Sequence, residues 1–439
     1  MNINYALKLN LLKPSSHMKT TGKIRHWGIL MDNTTPKVEL INRILIGKQT
    51  SPFEALMDLK GALFSPLELH RLIDEEERHD IKIVTHNTSQ SLKSMSSGER
   101  KKALLAYILE TEPDFIILDN PFDNLDPPSQ EELVSKLEQI SKKVLLVLLI
   151  TRKEDRLSFI EHYYVLKGNS LAPLKELAKS RLDPRTGTFS IPQALSPHIY
   201  MESILVDFRN VTVSFGDRAV LNNINWEIRP GEFWQLKGRN GSGKSTLISM
   251  ITGENSKGYG QQLWLFGQQK GSGESIWEIK EKLGYFTPSM IDSFSGHHTV
   301  EHMLISGLYD SIGLYIYPTV SELRLAKEWL QVLDLLDHRT MYFHDLSMGQ
   351  QRLIMTARAM IKHPLLLLLD EPTAGLDDKS SALLVALVNK IFKESKTTII
   401  FVSHRQEEGL QPQYIFELQM TDQGSIGKKI SHKKRATFQ

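Results

Sequence analysis

The sequence lacks cysteine: none of its 439 residues is Cys, which excludes disulfide bonds and metal sites built on thiolates. This composition is expected of a protein in a reducing cytoplasm. An excess of charge of one sign is also missing. The formal net charge is only +2, so there is no electrostatic reason to expect a nucleic-acid partner.

Long hydrophobic runs are missing as well. The longest apolar stretches, 144–150 and 365–369, are far shorter than the roughly 20 residues that a membrane-spanning helix needs. They are typical of buried parallel strands instead. The first residues contain no apolar core of signal-peptide length. We therefore expect a soluble, cytoplasmic protein that would reach the inner face of a membrane only through a separate subunit.

The sequence does contain a phosphate-binding loop. Residues 238–246 match the pattern G-x-x-x-x-G-K-[ST], with a strand-like stretch before them and a helical pattern after them. The glycines let backbone N–H groups curl around phosphate oxygens, and the helix directs its positive end at the same anion. The motif predicts binding of a nucleoside triphosphate. The predicted ligands are Gly238, Arg239, Asn240, Gly241, Ser242, Gly243, Lys244, Ser245 and Thr246.

A repeat at an offset of 251 residues indicates two homologous domains. The stretch DFIILDNPFDNLD at 114–126 recurs as LLLLLDEPTAGLD at 365–377, and 95–101 aligns with 346–352 at the same offset. A stretch with three prolines separates the copies. We expect a first domain at 1–182, a linker at 183–202, a second domain at 203–425 and a basic tail at 426–439.

The tail carries several cations: Lys428, Lys429, Lys433, Lys434 and Arg435. A solvated tail is the plainer interpretation of this charge run. A contact with a membrane surface or with nucleic acid is the alternative.

The second copy carries an ordered set of motifs: the phosphate loop, LSMGQ at 346–350, a strand that ends in Asp370-Glu371, and His404 after an apolar strand. This set resembles the ATP-binding cassette (ABC) ATPases, and the two-domain arrangement resembles the tandem-cassette proteins of the ModF type. The second domain also carries stretches typical of that group, at 257–259, 265–267, 271–277, 306–307 and 310–313.

The resemblance implies an α/β fold class: tandem P-loop NTPase domains with a mostly parallel sheet core, helical and antiparallel β subdomains, and a truncated first domain. It also implies ATP and Mg²⁺ as ligands. Nothing in the sequence encodes an oxyanion site that would match the group's molybdenum-transport label.

The resemblance also assigns roles to residues of the second domain. Asp370 and the Ser245 hydroxyl would hold Mg²⁺, Glu371 would be the general base, and His404 would sense the γ-phosphate. Phe215 lies 23 residues before the loop, where the family places an aromatic that stacks on adenine. A plain core phenylalanine is the alternative interpretation of Phe215.

Two departures from the family pattern concern the second domain. No Gln follows the strand at 284–286, which reads GYF and continues TPS, so coupling to a membrane partner is in doubt. The signature element has Met348 where the family has a glycine, while Ser347, Gly349 and Gln350 are kept.

The first domain has lost most of the nucleotide-binding chemistry. Trp27 aligns with Trp234, which places Lys37 on Lys244. Between the lysine and the signature serine the first domain has 44 fewer residues than the second. The remaining replacements are Pro36 in the loop, Val38 for the metal-binding hydroxyl, Asn120 for the base and Thr151 for the histidine.

The family closes two cassettes head to tail, so the intact loop would face the first domain's signature, which is Ser96, Ser97, Gly98 and Glu99. The second signature (Ser347, Gly349, Gln350) would face the broken loop. A helix N-cap is the alternative role of Ser96. We expect one hydrolytic site per chain, formed by an intramolecular domain pair in a monomer.

The expected function is that of the energising subunit of a membrane permease. The alternative is a mechanochemical or regulatory ATPase that acts on a soluble complex. The transported substrate, the permease partner and the direction of transport are not encoded in recognisable residues.

Overall fold

The structure is a computed structural model. It describes residues 25–33, 35, 37–47, 52–79, 82–85, 90–167, 170–174, 189–294 and 296–431. Several sequence predictions fall outside these residues: those for Pro36, for residues 183–188 of the linker, and for Lys433, Lys434 and Arg435 of the tail.

The described part of the first domain is an α/β unit around one sheet. Its elements are β1 (Trp27–Leu30), α1 (Lys37–Leu45), β2 (Gly61–Phe64), α2 (Pro66–His79), α3 (Ser97–Glu110), β3 (Phe115–Asp119), α4 (Pro127–Ser141), β4 (Leu145–Ile150), β5 (His162–Lys167) and β6 (Ser170–Pro173). The strand order is β2-β3-β4-β1-β5-β6, and β5–β6 is the antiparallel pair. The central strands are apolar throughout because helices cover both faces of a parallel sheet.

The second domain contains a sheet of the same topology and a second, antiparallel sheet. Its elements are β7 (Val206–Phe215), β8 (Arg218–Ile228), β9 (Phe233–Gly238), α5 (Lys244–Ile251), β10 (Leu263–Leu265), β11 (Gln268–Gln269), α6 (Ile276–Lys282), β12 (Leu283–Phe286), α7 (Ser289–Asp292), α8 (Val300–Ile305), α9 (Val320–Val332), α10 (Met348–Met360), β13 (Leu366–Asp370), α11 (Asp378–Glu394), β14 (Thr398–Val402), β15 (Tyr414–Gln419) and β16 (Ile426–Ser431).

The two main sheets correspond strand for strand. The second has the order β12-β13-β14-β9-β15-β16, again with an antiparallel last pair. Trp27 lies opposite Val147 in the pair β1–β4, and Trp234 lies opposite Ile400 in the pair β9–β14. The two homologous domains predicted from the repeat, and the α/β fold that the resemblance implied for them, are thus confirmed.

The domains differ in what lies between the first helix and the signature helix. From α5 to α10 the second domain inserts β10, β11, α6, β12 and the helices α7–α9, whereas the described residues between α1 and α3 form only β2, α2 and short turns. In the described part of the first domain no strand matches the antiparallel sheet β11-β10-β7-β8. The first domain is therefore a shortened cassette.

Equivalent helices begin with the same caps in both domains. Ser96 and Ser347 each accept a hydrogen bond from the backbone three residues on, and Glu99 and Gln350 complete capping boxes at α3 and α10. Asp126 and Asp377 cap α4 and α11 in the same way. The repeat therefore includes helix starts as well as strands.

Both ends of the second domain reach beyond the expected boundaries. Ile191 of the linker is buried against its core, and its N–H donates to Glu394 at 2.9 Å. Residues 426–431, expected to begin the basic tail, instead form β16 and pair with β15. The ammonium of Lys429 lies over the rings of Trp234 and Tyr414, so this lysine packs on the domain. None of the helices in the described ranges is both long and apolar enough to cross a bilayer.

Candidate active site

The phosphate-binding loop connects β9 to α5 and has a backbone that only glycine adopts easily. Gly241 and Gly243 have φ of 78° and 93°. A Cβ on Gly243 would lie 2.6 Å from the Leu221 side chain. Lys244 Nζ donates to the carbonyl oxygens of Gly238 at 2.8 Å and of Arg239 at 3.1 Å, so it spans the loop. This backbone is suited to directing N–H groups at phosphate oxygens.

The two acidic residues predicted for hydrolysis lie beside this loop at the end of β13. Asp370 is the last residue of the strand, and Glu371 follows with a φ of 49° while its N–H still donates to Val402 at 3.0 Å. His404 Nδ1 is 3.2 Å from Glu371 Oε1. His404 Nε2 is buried and has no hydrogen-bond partner among the described residues, which fits a nitrogen that would meet a phosphate oxygen.

Burial and charge act differently on the acidic pair. Burial, together with the charge of Glu371, raises the pKa of Asp370 to about 6, although Lys244 opposes the shift. Burial alone would also raise the pKa of Glu371. The hydrogen bond from His404 and the charges of His404, Lys244 and Arg405 outweigh burial, so the pKa of Glu371 is lowered. A cation next to Asp370 would favour its charged form, as expected of a metal ligand.

A cavity of about 730 Å³ adjoins the loop and is lined from both domains. Phe215 lies at this cavity with 47% of its surface exposed, and the Lys257 ammonium is 5.7 Å from its ring. Arg218, which the sequence did not single out, lines the cavity beside Gly241. The remaining lining residues include Asp123, Asn124, Lys244, Ser245, Thr246, Thr287, Pro288, Ser289, Met348, Arg352, Asp370 and Glu371.

The first domain reaches the intact loop through the segment after β3. The Asp126 carboxylate accepts from the Asn240 N–H at 3.2 Å and lies 3.5 Å from Arg239 Nε. The Asn240 side-chain amide donates to the Asn124 carbonyl at 3.0 Å. Asp126 therefore both caps α4 and contacts the phosphate loop of the other domain.

The predicted trans signature is close to this interface but makes no described contact with the loop. Ser96 and Glu99 bond to each other in their capping box, and residues 96–99 are not among the described residues that line the cavity. Their contact with nucleotide stays a prediction. Gly349 of the second signature lies against α11, because a Cβ there would be 2.3 Å from the Ser380 hydroxyl.

The equivalent site of the first domain has the same backbone conformation as the site of the second domain, but it has different side chains. Asn120 has a φ of 44°, and its N–H donates to Leu149 at 2.9 Å, as at Glu371. Its side-chain oxygen accepts from the Thr151 N–H at 3.1 Å. Lys37 Nζ lies 3.1 Å from Asp119, so the lysine pairs directly with the strand-end carboxylate.

The contacts across the degenerate side mirror those across the intact side. The Asp377 carboxylate accepts from the Asn33 N–H at 2.8 Å, and the Asn33 amide donates to the Gly375 carbonyl at 3.0 Å. The same amide lies 3.7 Å from the Met348 sulfur. The domains are thus arranged head to tail about an approximate two-fold axis.

Comparison with known proteins agrees with this architecture. The ABC transporter family model matches residues 221–374. The chain is 37% identical over 341 residues to the ABC transporter ATP-binding protein ModF of Escherichia coli, covering 74% of this chain and 69% of the relative. It is 31% identical over 336 residues to an uncharacterized ABC transporter ATP-binding protein of Schizosaccharomyces pombe, covering 74% and 68%.

A solved structure of ribosome-bound archaeal Pelota and ABCE1 matches with a TM-score of 0.60 and covers 93% of this chain and 75% of that chain. At 16% identity it shows a shared fold only. The fold and the site define a P-loop protein with two cassettes in one chain. The chain belongs to the family of ABC transporter ATP-binding proteins, and ModF is among its relatives.

Proposed function

We propose that the chain binds ATP with Mg²⁺ and hydrolyses it at one composite site. The observation that carries the proposal is the Glu371–His404 pair beside a complete phosphate loop, with Asn120 and Thr151 in the equivalent places of the other domain. Carboxylate and imidazole can act on a water molecule and a phosphate oxygen. An amide and a hydroxyl at neutral pH cannot replace that base.

Each residue of the intact site has a definite task. Lys244 and the loop N–H groups bind the outer phosphates, and Ser245 with Asp370 would hold the metal ion. Bound Mg²⁺ would neutralise phosphate charge. Glu371 takes the proton of the attacking water, and its lowered pKa keeps it ionised for that step. His404 bonds to Glu371 through Nδ1 and would contact the γ-phosphate through Nε2.

The first domain completes this site from the other side of the interface. Asp126 and Asn124 hold Asn240 of the loop, which supports a site that works only with both domains in place. Closure around nucleotide would then bring Ser96 and Gly98 to the γ-phosphate. The two domains of one chain form this pair, so the active form is a monomer.

The partner we propose is an integral-membrane permease, with the chain bound at the cytoplasmic face of the membrane. The family name and the names of the relatives support this assignment. The alternative is an ATPase that acts on a soluble complex. That reading is favoured by Thr287 and Ser289, which line the cavity where the family usually has a coupling Gln. We propose no nucleic-acid partner.

Phosphate release by the purified chain in the presence of ATP and Mg²⁺ tests the enzymatic part of the proposal. Lys244→Ala should abolish it, and a wild-type chain without hydrolysis would contradict the proposal. The partner is tested by purifying the Glu371→Gln variant with ATP from detergent-treated cells. A permease in the complex supports the transporter assignment, and a soluble complex supports the alternative.

A further inference from the structure

Two buried arginines cross the domain interface at equivalent positions. Arg405 Nη2 donates to the carbonyl of Phe122 in the first domain at 2.9 Å. Arg152 Nη2 donates to the carbonyl of Thr373 in the second domain at 2.6 Å. Phe122 and Thr373 are themselves related by the repeat. The two arginines therefore make the same contact in opposite directions.

Each arginine is also paired with an acidic residue that follows the other arginine in sequence. Arg405 Nη1 lies 3.2 Å from Asp155, and Arg152 Nη1 lies 3.6 Å from Glu407. The exposed side-chain fractions are 12% and 8% for the first pair and 8% and 3% for the second. Paired guanidinium and carboxylate groups at such burial hold a fixed geometry, because separating them leaves a buried charge.

The two arginines differ in what stands beside them. Arg405 directly follows His404, whose ring bonds to Glu371. Arg152 directly follows Thr151, which bonds to Asn120. In space Arg152 also lies near the hydrolytic residues, because it donates to Thr373 and Leu376, shortly after Glu371, and lines a small cavity with Glu371, His404 and Arg405.

Arg405 also holds the segment of the first domain that reaches the phosphate loop. Besides the carbonyl of Phe122, its guanidinium lies 3.7 Å from Asp123, which lines the nucleotide cavity. From the opposite side, Lys101 Nζ donates to the Pro121 carbonyl at 2.8 Å. Lys101 belongs to α3, the helix that begins at the predicted trans signature. The segment 121–126 is thus held between the His404 region and α3.

We propose that Arg405 is a positioning residue for ATP hydrolysis, acting across the domain interface. It fixes the segment 121–126 of the first domain next to His404, so the geometry around Glu371 depends on the first domain being docked. The inference rests on the proposed hydrolytic site of the second domain and adds a residue outside its motifs. Arg152 makes the equivalent contact in the opposite direction, from the first domain to the segment that follows Glu371.

The expected phenotype is a loss of turnover with little change in affinity. Arg405 contacts none of the loop residues that would bind phosphate, so its removal misplaces reacting groups and leaves the binding groups intact. Arg405→Met should lower kcat about 10- to 100-fold while KM for ATP changes by less than about threefold. Arg405→Lys should restore part of kcat, because it keeps the charge and loses the forked hydrogen bonds.

Asp378→Ala is the control. It removes an interdomain contact, with the Lys153 N–H at 3.2 Å, from a residue that lines neither the nucleotide cavity nor the small cavity beside Glu371 and His404. Both this variant and Arg405→Met should lower Tm, but Asp378→Ala should lower kcat by less than about threefold. Asp155→Asn tests the contact itself. If Arg405 acts through Asp155, Asp155→Asn should lower kcat. In the double variant with Arg405→Met, the fold-loss of kcat should be smaller than the product of the two single fold-losses.

Equal kcat losses in the Arg405→Met and Asp378→Ala variants would overturn the proposal, as would a raised KM with kcat retained. If Arg405→Met does not fold, Arg405→Lys and Asp155→Asn decide the matter. Wild-type kcat in both would contradict the proposed role. A wild-type chain that does not hydrolyse ATP would instead refute the proposed function, and this inference with it.

Discussion

The two domains place a lysine at the same point of the same sheet, yet the two lysines make different contacts. Lys244 donates to carbonyl oxygens of its own glycine-rich loop. Lys37 pairs with Asp119 at 3.1 Å. The residues from 29 to Lys37 include no glycine, so the sequence lacks the residues that would form a phosphate cradle there. The lysine of the first domain is therefore half of an ion pair, whereas the lysine of the second domain spans its loop.

The interface contacts, in contrast, are alike on both sides. The Asn240 N–H meets Asp126, and the Asn33 N–H meets Asp377. The interdomain contacts are thus alike where the residues at the predicted catalytic positions, Glu371 and Asn120, differ. We infer that the first domain supports the second through these contacts.

The largest effect is expected for the base. Glu371→Gln should lower steady-state phosphate release by about 10²- to 10⁴-fold, because the group that takes the proton is removed. ATP binding should be little changed. Asn120→Asp, at the equivalent place in the first domain, should leave turnover within about twofold of wild type. If Glu371→Gln hydrolysed ATP normally, its assignment as base would be wrong.

The next effect separates the two signature elements. Ser96→Arg and Ser347→Arg each remove the N-cap of an equivalent helix, worth about 1 kcal/mol of stability. Any further difference in turnover between the two variants would come from their contacts with nucleotide. Ser96→Arg should lower turnover by about 100-fold, since it removes a donor from the transition state and blocks closure. Ser347→Arg should have a much smaller effect because the site it faces is degenerate.

Serine is the better choice for this pair than glycine. A Cβ on Gly98 would meet nothing closer than 3.7 Å, so Gly98→Asp tests closure without disturbing the fold. A Cβ on Gly349 would lie 2.3 Å from Ser380 Oγ, so a variant there also damages the packing of α10 on α11. Equal losses of turnover in the two serine variants would contradict either the head-to-tail assignment or the single competent site.

The smallest effect concerns the lysine of the degenerate site. Lys37→Ala should leave phosphate release unchanged. The Lys37 side chain is 42% exposed, so water screens the pair, but Asp119 is only 4% exposed and its buried charge would lose this partner, so the free energy of unfolding should fall by about 1 to 3 kcal/mol. Thermal unfolding and the hydrolysis assay check both statements together. A large loss of hydrolysis in this variant would mean that the first site takes part in chemistry.

Much of the fold could be predicted from the sequence because its signals are local. The phosphate loop needs glycines at fixed spacing, and apolar runs such as 144–150 are typical of buried parallel strands. Because the two halves of the sequence are repeats, they were also predicted to contain the same kind of sheet. The strand β16 was missed because the adjacent Lys428 and Lys429, with Lys433, Lys434 and Arg435 after them, suggest a solvated tail, whereas pairing with β15 decides the structure.

The interdomain part of the site could be predicted only in outline. Arg405 and Arg152 do share the offset that relates His404 to Thr151, so their equivalence was visible in the sequence. Their hydrogen-bonding partners were not visible in the sequence. A contact between residues 250 positions apart, such as Arg405 with Asp155, depends on how the domains dock. The position of Arg218 at the cavity was likewise not visible in the sequence, because it depends on the turn between β7 and β8.

The number of tight nucleotide sites per chain tests the central claim most directly. Isothermal titration calorimetry with a non-hydrolysable ATP analogue and Mg²⁺ should give one equivalent per chain, and Lys244→Ala should remove it. Only the loop at 238–246 has the glycines that let backbone N–H groups surround phosphate. Two equivalents of tight binding, or one equivalent that persists in Lys244→Ala, would contradict the account of one intact and one degenerate site.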